Sequence, residues 1–284
     1  QPVGSKCCWL LNSRTRPAEI VNRRKSVDLT AATRSAEREV LESWVGTLPP
    51  GDPPVSIEVL AGDSFMEVLR QVERGGHDLL MLAAEDDVGG WFGSTATHLL
   101  RKSAVPVWVM KHQPLPRYRR VLVALERDPG DEAMNVKLLE LGSSLAEAEG
   151  GELHVAHAWM IYAESILRNR LRVTEDEIRD IAEETLGGRK AWLESLLAEV
   201  PAAEEAATVH LPRGVPHLAI PNLVAELEVE LIVMGTLGRS GLSGALIGNT
   251  AERILNRVRC AVLAVKPDGF RCPIRLGSDQ PNPL

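Results

Sequence analysis

Short runs of apolar residues recur along the chain, separated by longer segments in which apolar and polar residues mix. Five such runs stand in the second half, and each spans only four to six residues. Runs of this length that are rich in Val, Leu and Ile are typical of strands buried in a parallel sheet. We therefore predict strands at 120–125, 153–158, 207–211, 231–234 and 261–265.

The segments between these runs carry helix signals. Asp131 is suited to cap a helix that runs to residue 148, before a glycine pair at 150–151. Thr174 and Glu177 form a capping-box pattern, which opens a long helix to about residue 199. Shorter helices are predicted at 221–227, with Pro221 at the first position, and at 250–257. Strands that alternate with helices predict an open five-stranded α/β sandwich with a parallel sheet.

The first half repeats part of this pattern. Residues 93–111 align without a gap on 248–266, with six identical positions, and 77–83 align on 229–235 in the same order. Ordered repetition of this kind indicates duplication of one structural unit. We therefore predict two tandem open five-stranded parallel-sheet sandwiches, at 1–113 and 118–267, and a C-terminal tail at 268–284.

The first copy is interpreted as truncated at its N-terminus, because the repeat spacing places the counterpart of strand one before residue 1. Residues 8–11 are interpreted as a remnant of strand two. A helix is predicted at 30–45 and strand three at 55–60. The last two strands of this copy are predicted at 77–83 and 105–110, and a helix follows Gly93.

The composition and net charge of the chain argue against several classes of function. The formal net charge of −7 argues against a general nucleic-acid-binding protein, which would present a basic face. No apolar run approaches the roughly 20 residues of a membrane span, so no membrane partner is expected. The four cysteines lack the spacing of a metal site and predict reduced thiols in the cytoplasm. No metal site is predicted.

A glycine-rich loop follows strand four, which ends at Met234. In open parallel sheets, ligands bind beyond the carboxyl ends of the strands. Gly235 is predicted to let the chain turn sharply, and Gly238 to let the backbone approach a ligand. The loop ends at the start of a helix, whose free N–H groups favour phosphate. Further candidate contacts are Met234, Arg239, Gly248, Asn249 and Thr250.

The spacing of Gly235, Gly238 and Gly248 resembles the phosphate-loop signature of the universal stress protein family. The similarity extends to the tandem-domain members of that family and covers most of the chain. It implies the fold of that family, which is related to the adenine-nucleotide α-hydrolases. In its nucleotide-binding members this loop holds the triphosphate and the ribose. The implied ligand is ATP or a related nucleotide, with Mg²⁺.

Carried over residue by residue, the resemblance implies contacts at the ends of strands one and two. Strand one ends at Ala124, Leu125 and Glu126, and adenine-binding members have Asp at the position of Glu126. Ala158 stands where a backbone group touches the base. Asn249 replaces the usual Ser or Thr. Phosphate binding is therefore predicted, whereas the adenine contacts are altered.

The corresponding loop of the first copy differs more strongly from the family signature. Ala83 and Asp86 replace the first two glycines, and Asp86 is the second of three consecutive acidic residues. Such charge repels phosphate. We therefore predict a ligand site in the second half only.

Three functions remain open from the residues. The first is a non-catalytic stress-response protein that binds a nucleotide or another phosphorylated small molecule. The second is an ATP-hydrolysing or autophosphorylating switch. The third is a ligand-free scaffold, in which the strands at 105–110 and 261–265 pair the two halves as an internal pseudo-dimer; assembly into a homo-oligomer is also left open. His154 and His157 lie three apart on one strand and hence on opposite faces, which favours structural roles over metal binding.

Overall fold

The computed structural model describes residues 7–10, 29–48, 55–84, 93–110, 117–128, 130–171, 173–237 and 247–274. Within the described part of the first half, three strands and three helices form. In chain order they are β1 (Cys7–Leu10), α1 (Leu29–Val45), α2 (Ser64–Gly75), β2 (Leu79–Ala83), α3 (Ser94–Lys102) and β3 (Val107–Met110).

The second half forms the five strands that its apolar runs predict. In chain order its elements are β4 (Arg120–Ala124), α4 (Glu132–Glu149), β5 (Glu152–Ala156), α5 (Glu164–Asn169), α6 (Glu175–Leu197), α7 (Pro201–Ala206), β6 (Ala207–His210), α8 (Pro216–Glu226), β7 (Leu231–Gly235), α9 (Asn249–Leu255) and β8 (Ala261–Val265). The predicted capping box is confirmed: the Thr174 hydroxyl accepts from Glu177 N, and the Glu177 carboxylate accepts from Thr174 N. No helix in these described ranges is both long and apolar enough to cross a membrane.

The eight strands of the described residues belong to one sheet, in the order β1-β2-β3-β8-β7-β4-β5-β6. Neighbouring strands run parallel except at the junction between the halves, where β3 and β8 are antiparallel. The strands at 105–110 and 261–265 that were candidates for pairing the two halves therefore do pair.

The register at this junction follows the sequence repeat. Trp108 lies opposite Leu263, and Val107 and Val109 lie opposite Ala264 and Val262. The alignment of 93–111 on 248–266 makes Leu263 the repeat equivalent of Trp108, since both lie 15 residues after the first aligned glycine. Each strand thus meets its own repeat equivalent, which is the property of a two-fold self-complementary contact.

The two faces of the sheet are covered by different helices. Apolar residues of α2, α3, α8 and α9 pack on one face, together with strand residues such as Leu80, Val109, Ile232 and Val262. Apolar residues of α4, α6 and α7 pack on the other face, with Val123, Val155 and Val233. Successive strand residues alternate between the two faces, as the geometry of a strand requires.

The first half differs from prediction in two places. Residues 55–60 form no strand, so the described part of this half contributes three strands to the sheet. β1 pairs in parallel with β2, as β4 pairs with β7, so it takes the place of strand one and not strand two. In the second half strand three (β6) pairs with strand two (β5). The described first half has no strand at the strand-two position, which leaves 55–60 without that pairing partner.

The helix predicted at 221–227 begins five residues earlier. Pro216 occupies the first turn of α8, and Pro221 lies inside the helix. Proline has no N–H to donate to the carbonyl four residues earlier, which here belongs to His217. Arg257 Nη1 donates to that oxygen at 2.6 Å instead. A side chain just beyond α9 therefore supplies the donor that Pro221 lacks.

Candidate functional site

The strand ends of the second half converge at the carboxyl edge of the sheet. Ala124 at the end of β4 lies beside Ala156 of β5 and Met234 of β7. The next residue, Leu125, donates its N–H to Ala156 O at 2.9 Å. Ala158 and Met234 are buried in the same apolar cluster, against which Ala124 packs. The structure therefore brings together four predicted contacts that lie up to 110 residues apart: Ala124, Leu125, Ala158 and Met234.

Glu126 begins the turn that follows β4, and its side chain is exposed. Its backbone oxygen accepts a 2.7 Å hydrogen bond from Asn135 Nδ2 of α4. Asn135 is buried, with 3% of its surface exposed. A buried amide on the helix face that also buries Leu138, Leu139 and Ala146 is the signal that could have identified this residue. The hydrogen bond from Asn135 holds the backbone at Glu126, which is one of the predicted ligand contacts.

Gly235 does not turn the chain, contrary to the sequence prediction. It is the last residue of β7 and pairs with Val265 of β8. A Cβ placed on it would lie 3.8 Å from Met134 Cγ, which is an ordinary contact. The strand simply extends through it, because β8 continues alongside. Gly238 and Arg239 lie in the segment 238–246, outside the described residues.

Thr236 ties together the two ends of the glycine-rich loop. Its N–H donates to Val265 O at 3.2 Å, and its carbonyl accepts from Gly248 N at 2.8 Å. Gly248 precedes the first turn of α9, where Asn249 is exposed and Thr250 half-buried. The first N–H groups of a helix have no partner within it. The loop therefore begins and ends at the same point, beside the start of α9.

A buried lysine lies beneath this closure. Lys266 is 4% exposed, and its Nζ donates to the Thr236 hydroxyl and to the Leu100 carbonyl, each at 2.6 Å. Burial lowers the pKa of Lys266 to about 7. Leu100 belongs to the last turns of α3, in the first half. No pattern in the sequence indicated this junction, because the three residues are distant along the chain.

The equivalent position in the first half is Ala84, which follows β2. It keeps the backbone bond, donating its N–H to Met110 O at 2.7 Å. It has no hydroxyl to accept a hydrogen bond. Ala83 ends β2 as predicted, and Asp86 lies outside the described residues.

Four histidines of the second half, among them His154 and His157, make protein contacts. His154 Nδ1 lies 3.1 Å from His210 Nε2, and His157 Nδ1 lies 3.1 Å from Leu125 O. His217 Nε2 lies 3.5 Å from Arg253 Nη1. Over the described ranges, no group of three or more His, Cys, Asp or Glu side chains is arranged to hold a metal ion.

Comparison with known proteins adds to this geometry. Residues 117–266 match the profile of the Universal stress protein family. The chain is 32% identical over 235 residues to Universal stress protein E of Escherichia coli K12, which covers 80% of this chain and 73% of the relative. It is 32% identical over 258 residues to Universal stress protein E of Salmonella typhi, covering 88% and 78%.

Two solved structures share the fold. A functionally unknown protein of Pseudomonas aeruginosa PAO1 superposes with a TM-score of 0.60 at 22% identity, covering 86% of this chain and 80% of that one. A universal stress protein of Archaeoglobus fulgidus superposes with a TM-score of 0.55 at 22% identity, covering 87% and 82%.

Proposed function

Because the chain belongs to the universal stress protein family, we propose that it is a non-catalytic stress-response protein that binds a nucleotide or another phosphorylated small molecule. The proposed site lies in the second half, at the carboxyl ends of β4, β5 and β7. The observation that carries the proposal is the closure at Thr236, which holds both ends of the glycine-rich loop at this edge. Ligands of open parallel sheets bind at this edge.

The phosphate end of the ligand is assigned to the loop from Gly235 to Thr250. Backbone N–H groups at the start of α9, with the side chains of Asn249 and Thr250, supply donors, and Arg239 supplies charge. Gly238 allows close approach of the backbone. ATP or a related nucleotide, accompanied by Mg²⁺, fits this assignment.

The opposite end of the ligand is assigned to the strand ends. The base, or the group that replaces it in another phosphorylated ligand, would contact backbone groups of Leu125 and Ala158 and the carboxylate of Glu126. Glu126 is exposed at the start of the turn that Asn135 fixes. Ala83 and the acidic residues at 85–87 support confinement of the site to the second half.

We also propose that the two halves, 1–113 and 118–267, are duplicated domains that form an internal pseudo-dimer, followed by the tail at 268–284. The antiparallel pairing of β3 with β8 supports this proposal, because the register sets each strand against its repeat equivalent.

A thermal-shift titration with ATP, ADP and AMP tests ligand binding. At a concentration near 100 Kd we expect the Tm to rise by about 5 °C or more. Gly238→Asp should abolish the shift, since a carboxylate would then face the phosphate. Gly187→Asp is the matched control: Gly187 lies on α6 with open space around it, so the shift should persist.

The result that contradicts the proposal is a Tm that no nucleotide raises, or a shift that survives in Gly238→Asp. A single-turnover assay with ATP and Mg²⁺ tests the non-catalytic role. We expect no hydrolysis above that of Gly238→Asp. Hydrolysis in the parent protein that this substitution removes would establish the ATP-hydrolysing switch instead.

A further inference from the structure

Arg127 and His157 lie against Trp192 at the carboxyl ends of β4 and β5, and Arg189 stands on the same helix as Trp192. Arg127 follows β4, and its guanidinium carbon lies 5.8 Å from the centre of the Trp192 ring. His157 follows β5 directly, and its ring centre lies 4.9 Å from the same indole. Arg189 stands on α6, one turn before Trp192. We call these four residues the Trp192 cluster.

The cationic side chains of the cluster have no carboxylate partner in the described part of the chain. Neither Arg127 nor Arg189 forms an ion pair there. Burial, and then the charge of Arg127, lower the pKa of Arg189. Two guanidinium groups thus repel each other in a chain whose net charge is −7.

One ring nitrogen of His157 has no hydrogen-bond partner among the described residues. The residue is 6% exposed. Its Nδ1 must donate to Leu125 O, since a carbonyl only accepts, which leaves Nε2 as the acceptor of the neutral ring. Nε2 is buried, with no hydrogen-bond partner among the described residues. Buried polar atoms in folded proteins nearly always have a partner, so such an exception calls for an explanation.

We propose that the Trp192 cluster is a binding site for a phosphate group, either free or on a small phosphomonoester. Arginine offers paired N–H donors that match an oxyanion, and two guanidinium charges balance the charge of a phosphate near neutral pH. A monocarboxylate would balance only one of them. The adjacent indole ring of Trp192 holds the Arg127 guanidinium at the site.

This site is separate from the glycine-rich loop, and it does not rest on the function proposed above. Strand residues alternate between the sheet faces. Leu125 packs in the cluster covered by α4 and α6, the face to which His157 and Trp192 belong. Ala158 and Met234 pack in the cluster on the opposite face, with α8 and α9.

Binding also changes the protonation of His157. Burial, Arg189 and Arg127 lower its pKa, whereas the Leu125 carbonyl opposes them. A dianion on the two guanidinium groups offsets their charge, so the pKa of His157 rises in the complex. Phosphate uptake is therefore accompanied by partial uptake of a proton at His157.

NMR of the labelled full chain tests the site. The ring C–H signals of His157 and the indole N–H of Trp192 are followed as inorganic phosphate is added at constant ionic strength. We expect saturable shifts and a raised pKa of His157. Arg127→Gln and Arg189→Gln should each weaken phosphate binding about tenfold or more. Arg179→Gln, the same change elsewhere on α6, should leave the affinity unchanged.

Two further measurements distinguish phosphate binding at the Trp192 cluster from binding elsewhere on the protein. Acetate at the same concentration should produce no saturable shift, and phenyl phosphate should reproduce the phosphate effect if a phosphomonoester is accepted. Amide shifts of Gly248 and Asn249 report the glycine-rich loop, and Gly238→Asp should remove these without altering the His157 signals. The proposal is overturned if phosphate leaves His157 and Trp192 unchanged, or if the three arginine variants behave alike.

Discussion

Lys266 shows how one side chain connects the glycine-rich loop to the first half. Its ammonium donates to Thr236, which closes the loop, and to Leu100 in the last turns of α3. Carbonyls at the end of a helix favour a cation. The two hydrogen bonds offset the cost of burying the amine, and they hold the base of the loop against α3.

The depressed pKa of Lys266 makes stability depend on pH. Between about 7, the folded pKa, and its ordinary value of 10.5, the unfolded state binds the proton more tightly. The free energy of unfolding therefore rises as pH increases through this window, and below pH 7 this contribution is lost. From pH 7 to 8.5 we expect a gain of about 1–2 kcal/mol from this residue.

Urea unfolding at both pH values measures this gain. Lys266→Met should remove it, while Lys190→Met, a substitution of an exposed lysine on α6, should retain it. Equal pH dependence in the parent protein and Lys266→Met would show that Lys266 titrates near its ordinary value.

At the scale of elements, α8 and α9 are joined by a substitute hydrogen bond. Pro221 cannot donate to His217 O, and Arg257, just beyond α9, donates instead. The two helices also pack against each other, and Ile220 and Ile254 are buried in the same apolar cluster. A proline inside a helix is thus tolerated because a neighbouring element satisfies the carbonyl it leaves open.

A double-mutant cycle tests this compensation. Arg257→Gln should lower the free energy of unfolding by about 0.5–1.5 kcal/mol, the value of a typical hydrogen bond. In the Pro221→Ala background the helix supplies its own N–H, so the same arginine change should cost less. Chemical denaturation of the four proteins gives the coupling energy. A coupling energy of zero would mean that Arg257 and Pro221 act independently.

At the scale of the molecule, one sheet and one apolar layer extend across both halves. The face covered by α2, α3, α8 and α9 is a continuous buried cluster with members on either side of the β3–β8 junction. Residues buried in a shared cluster lose their contacts together when it opens. The two halves are therefore expected to unfold as one cooperative unit, despite the repeat.

Leu99 provides the test, because it is fully buried in this cluster on the side of the first half. Leu99→Ala should lower the free energy of unfolding by about 2–5 kcal/mol. Hydrogen exchange should then accelerate in β7 of the second half as well as in β2. The half-exposed Leu60 is the control, and Leu60→Ala should have little effect. Acceleration confined to β2 would show that the halves unfold separately.

The sequence by itself determined the strands of the second half and the repetition of its pattern in the first half. The apolar runs and the Thr174 capping box predicted β4 to β8 and α6, because such signals act over a few residues. The strands at 105–110 and 261–265 were only candidates for joining the two halves, and the structure confirms their pairing. The spacing of the glycines located the candidate loop, but not the conformation at Gly235, where pairing with Val265 keeps the chain extended.

Only the tertiary structure decided which strands are neighbours and which polar groups are buried. β1 takes the strand-one position because it pairs with β2. Residues 55–60 form no strand because the described first half has no strand at the strand-two position. The burial of Lys266 depends on Leu100, 166 residues away, and the Trp192 cluster joins β4, β5 and α6. Such contacts are set by how the layers pack, and local periodicity carries no information about them.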